Sequence, residues 1–150
     1  MLHIEKTKFD ITRWESALFM TTSTLNLLPI VYALHKRLLF YGLTSFGTGV
    51  ISVLYWRYPI HGWRRNVDMF YAKYTFLVYL GSGIYHIPYG SPALFLYLGA
   101  SSIAFFYCMN FVFPHIWIRI HMMVHLVGIF MKLYILFYLP MSSLPVRNCA

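Results

Sequence analysis

His121 and His125 stand four residues apart in the last apolar stretch of the chain, so a helix there carries both imidazoles on one face. Polar groups in a lipid-like stretch are costly and usually have a partner or a task. Two imidazoles on one rigid element supply two ligands to a catalytic zinc, which takes three from the protein and leaves one position for water. After Glu15 the sequence holds a single acidic residue, Asp68, whose carboxylate could bond such a water and act as general base. Ser52 is placed to orient a ligand or to donate to an oxyanion. The same residues have plainer readings. The histidines could bond neighbouring helices or line a wet pocket, and Asp68 could pair with Lys73 as a buried ion pair.

The elements that must position these groups are apolar. The 150 residues are 59% hydrophobic, 20% aromatic and 11% charged, and the mean hydropathy is +0.61. A soluble domain has roughly 25% charged residues, so this chain lacks the surface to face water. Five charge-poor windows of 17 to 22 residues follow one another: 17–34, 38–56, 69–85, 93–113 and 118–139. Each approaches the roughly 20 residues that cross a hydrocarbon core. Pro88, Gly90, Pro92 and Pro114 punctuate the connections. The fold class expected is therefore all-α, a polytopic transmembrane bundle of about five spans forming one domain.

Five spans fix which ends are neighbours. The N-terminus, the end of the second span and the starts of the third and fifth fall on one side, here side A. Trp14, Trp56, Trp63 and Trp117 all fall there, as an interfacial belt would, and so do Lys6, Lys8, Arg13, Arg57, Arg64, Arg65 and Arg119. Only Lys36, Arg37 and Arg147 are clearly on side B. The positive-inside rule then puts the N-terminus in the cytosol. The polar, acid-bearing start does not read as a cleavable signal peptide. At 1.5 Å per residue, Ser52 lies about 6 Å inside side A, and His121 and His125 roughly 5 and 10 Å into the fifth span. Asp68 opens the third span on that side. The net charge of +8 is spread over the ends of apolar segments rather than gathered in a patch, which argues against nucleic acid as partner. Cys108 and Cys149 have neither metal spacing nor the pattern of a disulfide framework.

In the order of these residues the chain resembles the superfamily of membrane hydrolases that includes alkaline ceramidases, progestin and adiponectin receptors and GPI-remodelling lipid hydrolases. The shared features are a Ser/Thr-Asn signature in the first span (Thr22-Ser23-Thr24-Leu25-Asn26), a serine near the end of the second, an Asp opening the third, and His121-x3-His125 in the last. The resemblance implies three zinc-binding histidines, an Asp that assists the water, and a nearby serine. Where that pattern has Ser-x3-His, this chain reads Ser52-Val53-Leu54-Tyr55-Trp56, so a tryptophan stands at the third ligand position. His61, five residues on, is the candidate to replace it, with His115 a weaker one. The superfamily is usually seven-spanning; two spans are missing here between the third and the last, and removal of an even number preserves the sidedness of the rest.

Two functions follow from this reading. One is a divergent ceramidase-like hydrolase, with Asp68 and Ser52 catalytic, zinc on His121, His125 and His61, and a membrane lipid amide or ester as substrate. The alternative is a non-catalytic lipid-binding or receptor-like membrane protein that keeps the scaffold without a full metal site. A haem carrier would need histidines on two facing helices, and only the fifth span has mid-helix histidines. Gly42, Ser45 and Gly49, like Gly99 and Ser102, have spacings that let helices approach closely. Gly128, one turn after His125, either leaves room for a bound group or lets a helix pack.

Overall fold

The computed structural model describes residues 13–58, 62–113 and 116–141. These form six α-helices and no strand: α1 (Arg13–Thr24), α2 (Leu27–His35), α3 (Leu39–Arg57), α4 (Trp63–His86), α5 (Ser91–Val112) and α6 (Trp117–Tyr138). Four segments are long and apolar enough to cross a membrane: Trp14–His35, Leu39–Arg57, Ser91–Met109 and Trp117–Tyr138. The remaining helix, α4, has 24 residues, a length of roughly 36 Å. Asp68, Lys73 and four tyrosines make it less apolar than the others.

The first membrane-length element is broken in the middle, which the apolar window did not anticipate. Pro29 has no N–H to give the Leu25 carbonyl, and its ring crowds that residue. The chain tightens there, with Asn26 N–H on the Ser23 carbonyl and Leu28 N–H on the Leu25 carbonyl, both at 3.1 Å. The break turns Asn26 inward, where it is buried. At the far end, α2 closes on a left-handed Arg37 (φ 59°). The Leu38 N–H reaches the Ala33 carbonyl at 2.8 Å and the Arg37 N–H reaches Leu34 at 2.9 Å. This paired helix-ending bond pattern sends the chain straight into α3. Glycines at positive φ, Gly62 (147°) and Gly90 (112°), precede α4 and α5.

With α1 and α2 counted as one broken span, the spans alternate in direction, and contacts at both ends record it. On side A, Ser16 Oγ of α1 donates to the Trp56 carbonyl of α3. On side B, Lys36 Nζ donates to the carbonyls of Leu136, at 2.8 Å, Phe137, at 2.9 Å, and Leu139. Those are the open carbonyls at the C-terminus of α6, where a cation also meets the negative end of the helix dipole. Burial pushes Lys36 below the ordinary lysine pKa, while the three acceptors favour its charged form. Tyr134 of α6 donates to the Pro92 carbonyl of α5, at 2.8 Å.

Polar and apolar surfaces are inverted relative to a soluble domain. Large side chains such as Leu28, Phe40, Phe95, Phe130 and Phe137 face outwards. Buried inside are Thr22, Ser23, Asn26, Ser45, Ser52, Asp68, Thr75 and Lys132. That inversion, with four apolar membrane-length segments, marks an integral membrane protein. Two apolar clusters hold the bundle. One, towards side B, joins Ala33, Tyr79, Leu96, Ile135 and Leu136; the other, towards side A, centres on Phe19, Tyr55 and Trp56.

Candidate functional site: a polar-lined intramembrane cavity

Between the two clusters lies a cavity of about 340 Å³. Its wall on α6 carries His121, Val124, His125, Gly128, Ile129, Lys132 and Ile135, one helix face. From His121 to Ile135 the lining residues span fourteen rises of α6, roughly 21 Å along the helix axis. Asp68, Ala72, Lys73, Thr75, Phe76, Tyr79 and Leu80 form the α4 wall; Ser52 and Thr48 come from α3, Asn26 from the break, and Ile103, Ala104 and Tyr107 from α5. The lining is mostly apolar, with a short series of polar groups along it.

Four expected site residues therefore line one space: Ser52, Asp68, His121 and His125. Asp68 does not open its helix as the apolar window implied. The helix starts at Trp63 because Arg64, Arg65 and Asn66 continue the helical turn beyond the window, and Asp68 lies more than a turn inside, buried. Ser52 Oγ donates to Asp68 Oδ1 at 2.5 Å. Lys73 does not pair with Asp68; it lies over the Tyr107 ring, 5.8 Å from its centroid.

The Ser52–Asp68 bond is one rung of a series between the antiparallel α3 and α4. Thr48 and Thr75 share a hydrogen bond of 2.7 Å, Ser45 and Tyr79 one of 2.8 Å, and Tyr41 and Ser82 one of 2.6 Å. Positions 41, 45, 48 and 52 recur at three- and four-residue steps, so one face of α3 is a ladder of hydroxyls. The recurrence is legible in the sequence as Tyr41, Ser45, Thr48 and Ser52.

The histidines are surrounded by aromatic rings. Phe19 stacks on Trp56 with centroids 4.0 Å apart. The His121 ring lies 5.5 Å from Phe19, 5.5 Å from Trp56 and 6.1 Å from Trp117, edge to face in each case. His125 is 5.0 Å from His121 and 6.0 Å from Phe19. The expected belt of four tryptophans is thus divided. Trp14 and Trp63 are exposed, while Trp56 turns inward, is 2% exposed and stacks on Phe19.

A zinc can be tested against this donor set. Trp56 stands where the resemblance expects the third imidazole, and an indole N–H only donates. Its Nε1 is buried without a hydrogen-bond acceptor among the described residues. Among the described residues no three His, Cys, Asp or Glu side chains gather to hold a metal. The described donors by themselves do not fit a catalytic zinc, which needs three protein ligands. His61 and His115 lie outside the described residues. Neither His121 nor His125 has a hydrogen-bond partner among the described residues, although both line the cavity.

Two further polar residues were not among the expected site. Lys132 Nζ donates to Asn26 Oδ1 at 2.6 Å, and Asn26 Nδ2 donates to the Ser23 carbonyl at 2.9 Å. Asn26 belongs to the first-span Thr22–Asn26 signature, and Lys132 has no motif around it. Gly128 faces the cavity rather than a neighbouring helix, for a Cβ built there meets nothing within 4 Å.

Compared with protein-family models, with curated proteins and with solved structures, the chain matches none.

Proposed function

We propose that this chain is an intramembrane lipid-binding protein, a ceramidase-like scaffold that keeps its cavity without a complete metal centre. The observation that carries the reading is the hydrogen-bonding state of the cavity wall. Two imidazoles with no hydrogen-bond partner among the described residues and a buried ammonium face a space that is otherwise mainly apolar. Buried polar groups need partners, and a ligand with a polar head and an acyl chain supplies both halves of the match. The lining agrees with an elongated ligand, since it extends over roughly 21 Å of the α6 axis. The seam between α4 and α5, where Lys73 and Tyr107 meet, is its lateral side. The excess of basic residues on side A supports a cytosolic N-terminus, with α4 crossing the membrane between α3 and α5.

Lipid extraction from the detergent-purified full chain tests this. A bound lipid near one per chain, and intact ceramide after prolonged incubation with the protein, is the expected result. Purified protein without lipid, and unable to take up any, would overturn it.

A second reading, hydrolysis of a lipid amide or ester, is favoured by the Ser52–Asp68 pair lining the same cavity as both histidines. It requires His61 as the third zinc ligand. Stoichiometric zinc that is lost in both His121→Ala and His61→Ala, together with released fatty acid, would establish that reading instead.

A further inference from the structure

We propose that Lys132 is the headgroup residue of this cavity, and that the ligand is an amphiphile with a compact anionic head, a carboxylate or a phosphate. The assignment rests on the reading of the cavity as a lipid site and names the chemistry of its occupant. Lys132 lies on α6 well inside the bundle and is 9% exposed. The whole chain has four acidic residues, and the one on the cavity wall, Asp68, accepts its hydrogen bond from Ser52. An ammonium has three N–H donors. Among the described residues Lys132 has one hydrogen-bond acceptor, the neutral Asn26 Oδ1. The Tyr79 ring face lies 5.9 Å from Nζ.

Those two contacts orient the ammonium but carry no negative charge. A cation held inside a membrane bundle has a counter-ion, or faces a place where one can sit. Lys132 faces the cavity. Lys73, exposed on α4, lines the same cavity beside Tyr107 and adds a second positive charge at the α4–α5 side. A carboxylate or phosphate head accepts the remaining donors of Lys132 and supplies the missing charge. A hydroxyl or amide head offers hydrogen bonds without charge, and a choline head brings a second cation. Val124 and Ile129, on the side-A side of Lys132 on α6, form the apolar track for the chain of the amphiphile.

The test uses the full chain in a neutral maltoside detergent and displacement of a fluorescent fatty acid by oleate, oleyl phosphate, oleyl alcohol or acetate. Oleate and oleyl phosphate are expected to displace it, with oleyl alcohol weaker by at least about tenfold, as for loss of a charge-assisted hydrogen bond. Acetate at the same concentration is expected to displace nothing. Lys132→Met should bring oleate down to the level of oleyl alcohol and leave oleyl alcohol unchanged. Equal affinity for oleate and oleyl alcohol in the wild-type chain would overturn the assignment, and that comparison stands whether or not the variant folds. Displacement by acetate would overturn it too, by showing a site for small anions. If the wild-type chain binds neither oleyl compound nor the fluorescent probe, the lipid-site reading itself fails, a result distinct from binding without headgroup discrimination.

Discussion

Two polar pairs on the cavity wall, Ser52–Asp68 and Asn26–Lys132, have similar distances, 2.5 and 2.6 Å, and opposite character. The first joins α3 to α4, consecutive antiparallel helices, and belongs to a ladder of hydroxyl rungs that repeats down the seam. It holds two helices together, and its acid is engaged by a hydroxyl. The second joins the break between α1 and α2 to α6, residues 106 apart in the chain. It orients a cation without neutralising it. The difference teaches that a buried charge is structural or open to a ligand according to what remains after its protein contacts are made. The hydroxyl rungs pair with one another across the seam, whereas the Lys132 ammonium keeps donors that face the cavity.

The comparison can be broken at either pair, and the largest effect is expected at the second. Asn26→Leu removes the acceptor of Lys132 and leaves a buried cation unpaired, at a cost of about 3 kcal/mol in unfolding free energy. Oleate should stabilise this variant more than it stabilises the wild-type chain, because more donors of Lys132 are left for the ligand. Equal stabilisation of the two would erase the distinction between the pairs.

Gly128→Leu should leave unfolding within about 0.5 kcal/mol of wild type, since nothing lies within 4 Å of a built Cβ. The leucine occupies the cavity, however, and oleate affinity should fall by about tenfold or more. A variant that binds normally would show that the ligand sits elsewhere. Ser52→Ala is expected to behave in the opposite way. It deprives Asp68 Oδ1 of its donor and should cost about 1 kcal/mol of stability, with oleate affinity unchanged. The smallest effect belongs to a single rung: Thr48→Val should lose about 0.6 kcal/mol, the usual worth of a hydrogen bond between helices in a membrane. Chemical unfolding in mixed micelles measures both. A strong loss of oleate binding in either would merge the two regions into one functional unit.

Much of the arrangement was legible because it is local. The windows 38–56, 93–113 and 118–139 coincide within two residues with α3, α5 and α6, for hydropathy and helix length are set by consecutive residues. The meeting of Ser52 with Asp68 followed from a short connection between neighbouring helices, which brings the end of one beside the start of the next. The break in the first span was signalled by Pro29 but hidden by an unbroken apolar window, as hydropathy does not register a missing N–H. The two roles of tryptophan were not legible. An interfacial Trp14 and an inward Trp56 have the same composition around them, and only the stacking of Phe19 separates them.

The sequence by itself determined an all-α chain with apolar membrane-length helices, and it put both histidines on one face of the last of them. Periodicity and length alone are enough for that, because they act within each helix. Which groups share a space was decided by tertiary structure. Lys132 meets Asn26 only because the Pro29 break turns an asparagine inward just where α6 passes, and no local rule relates residues so distant along the chain. The same packing put the Trp56 ring against His121. The pair of histidines so prominent in the sequence thus shares its cavity with a lysine that the sequence alone gave no reason to choose.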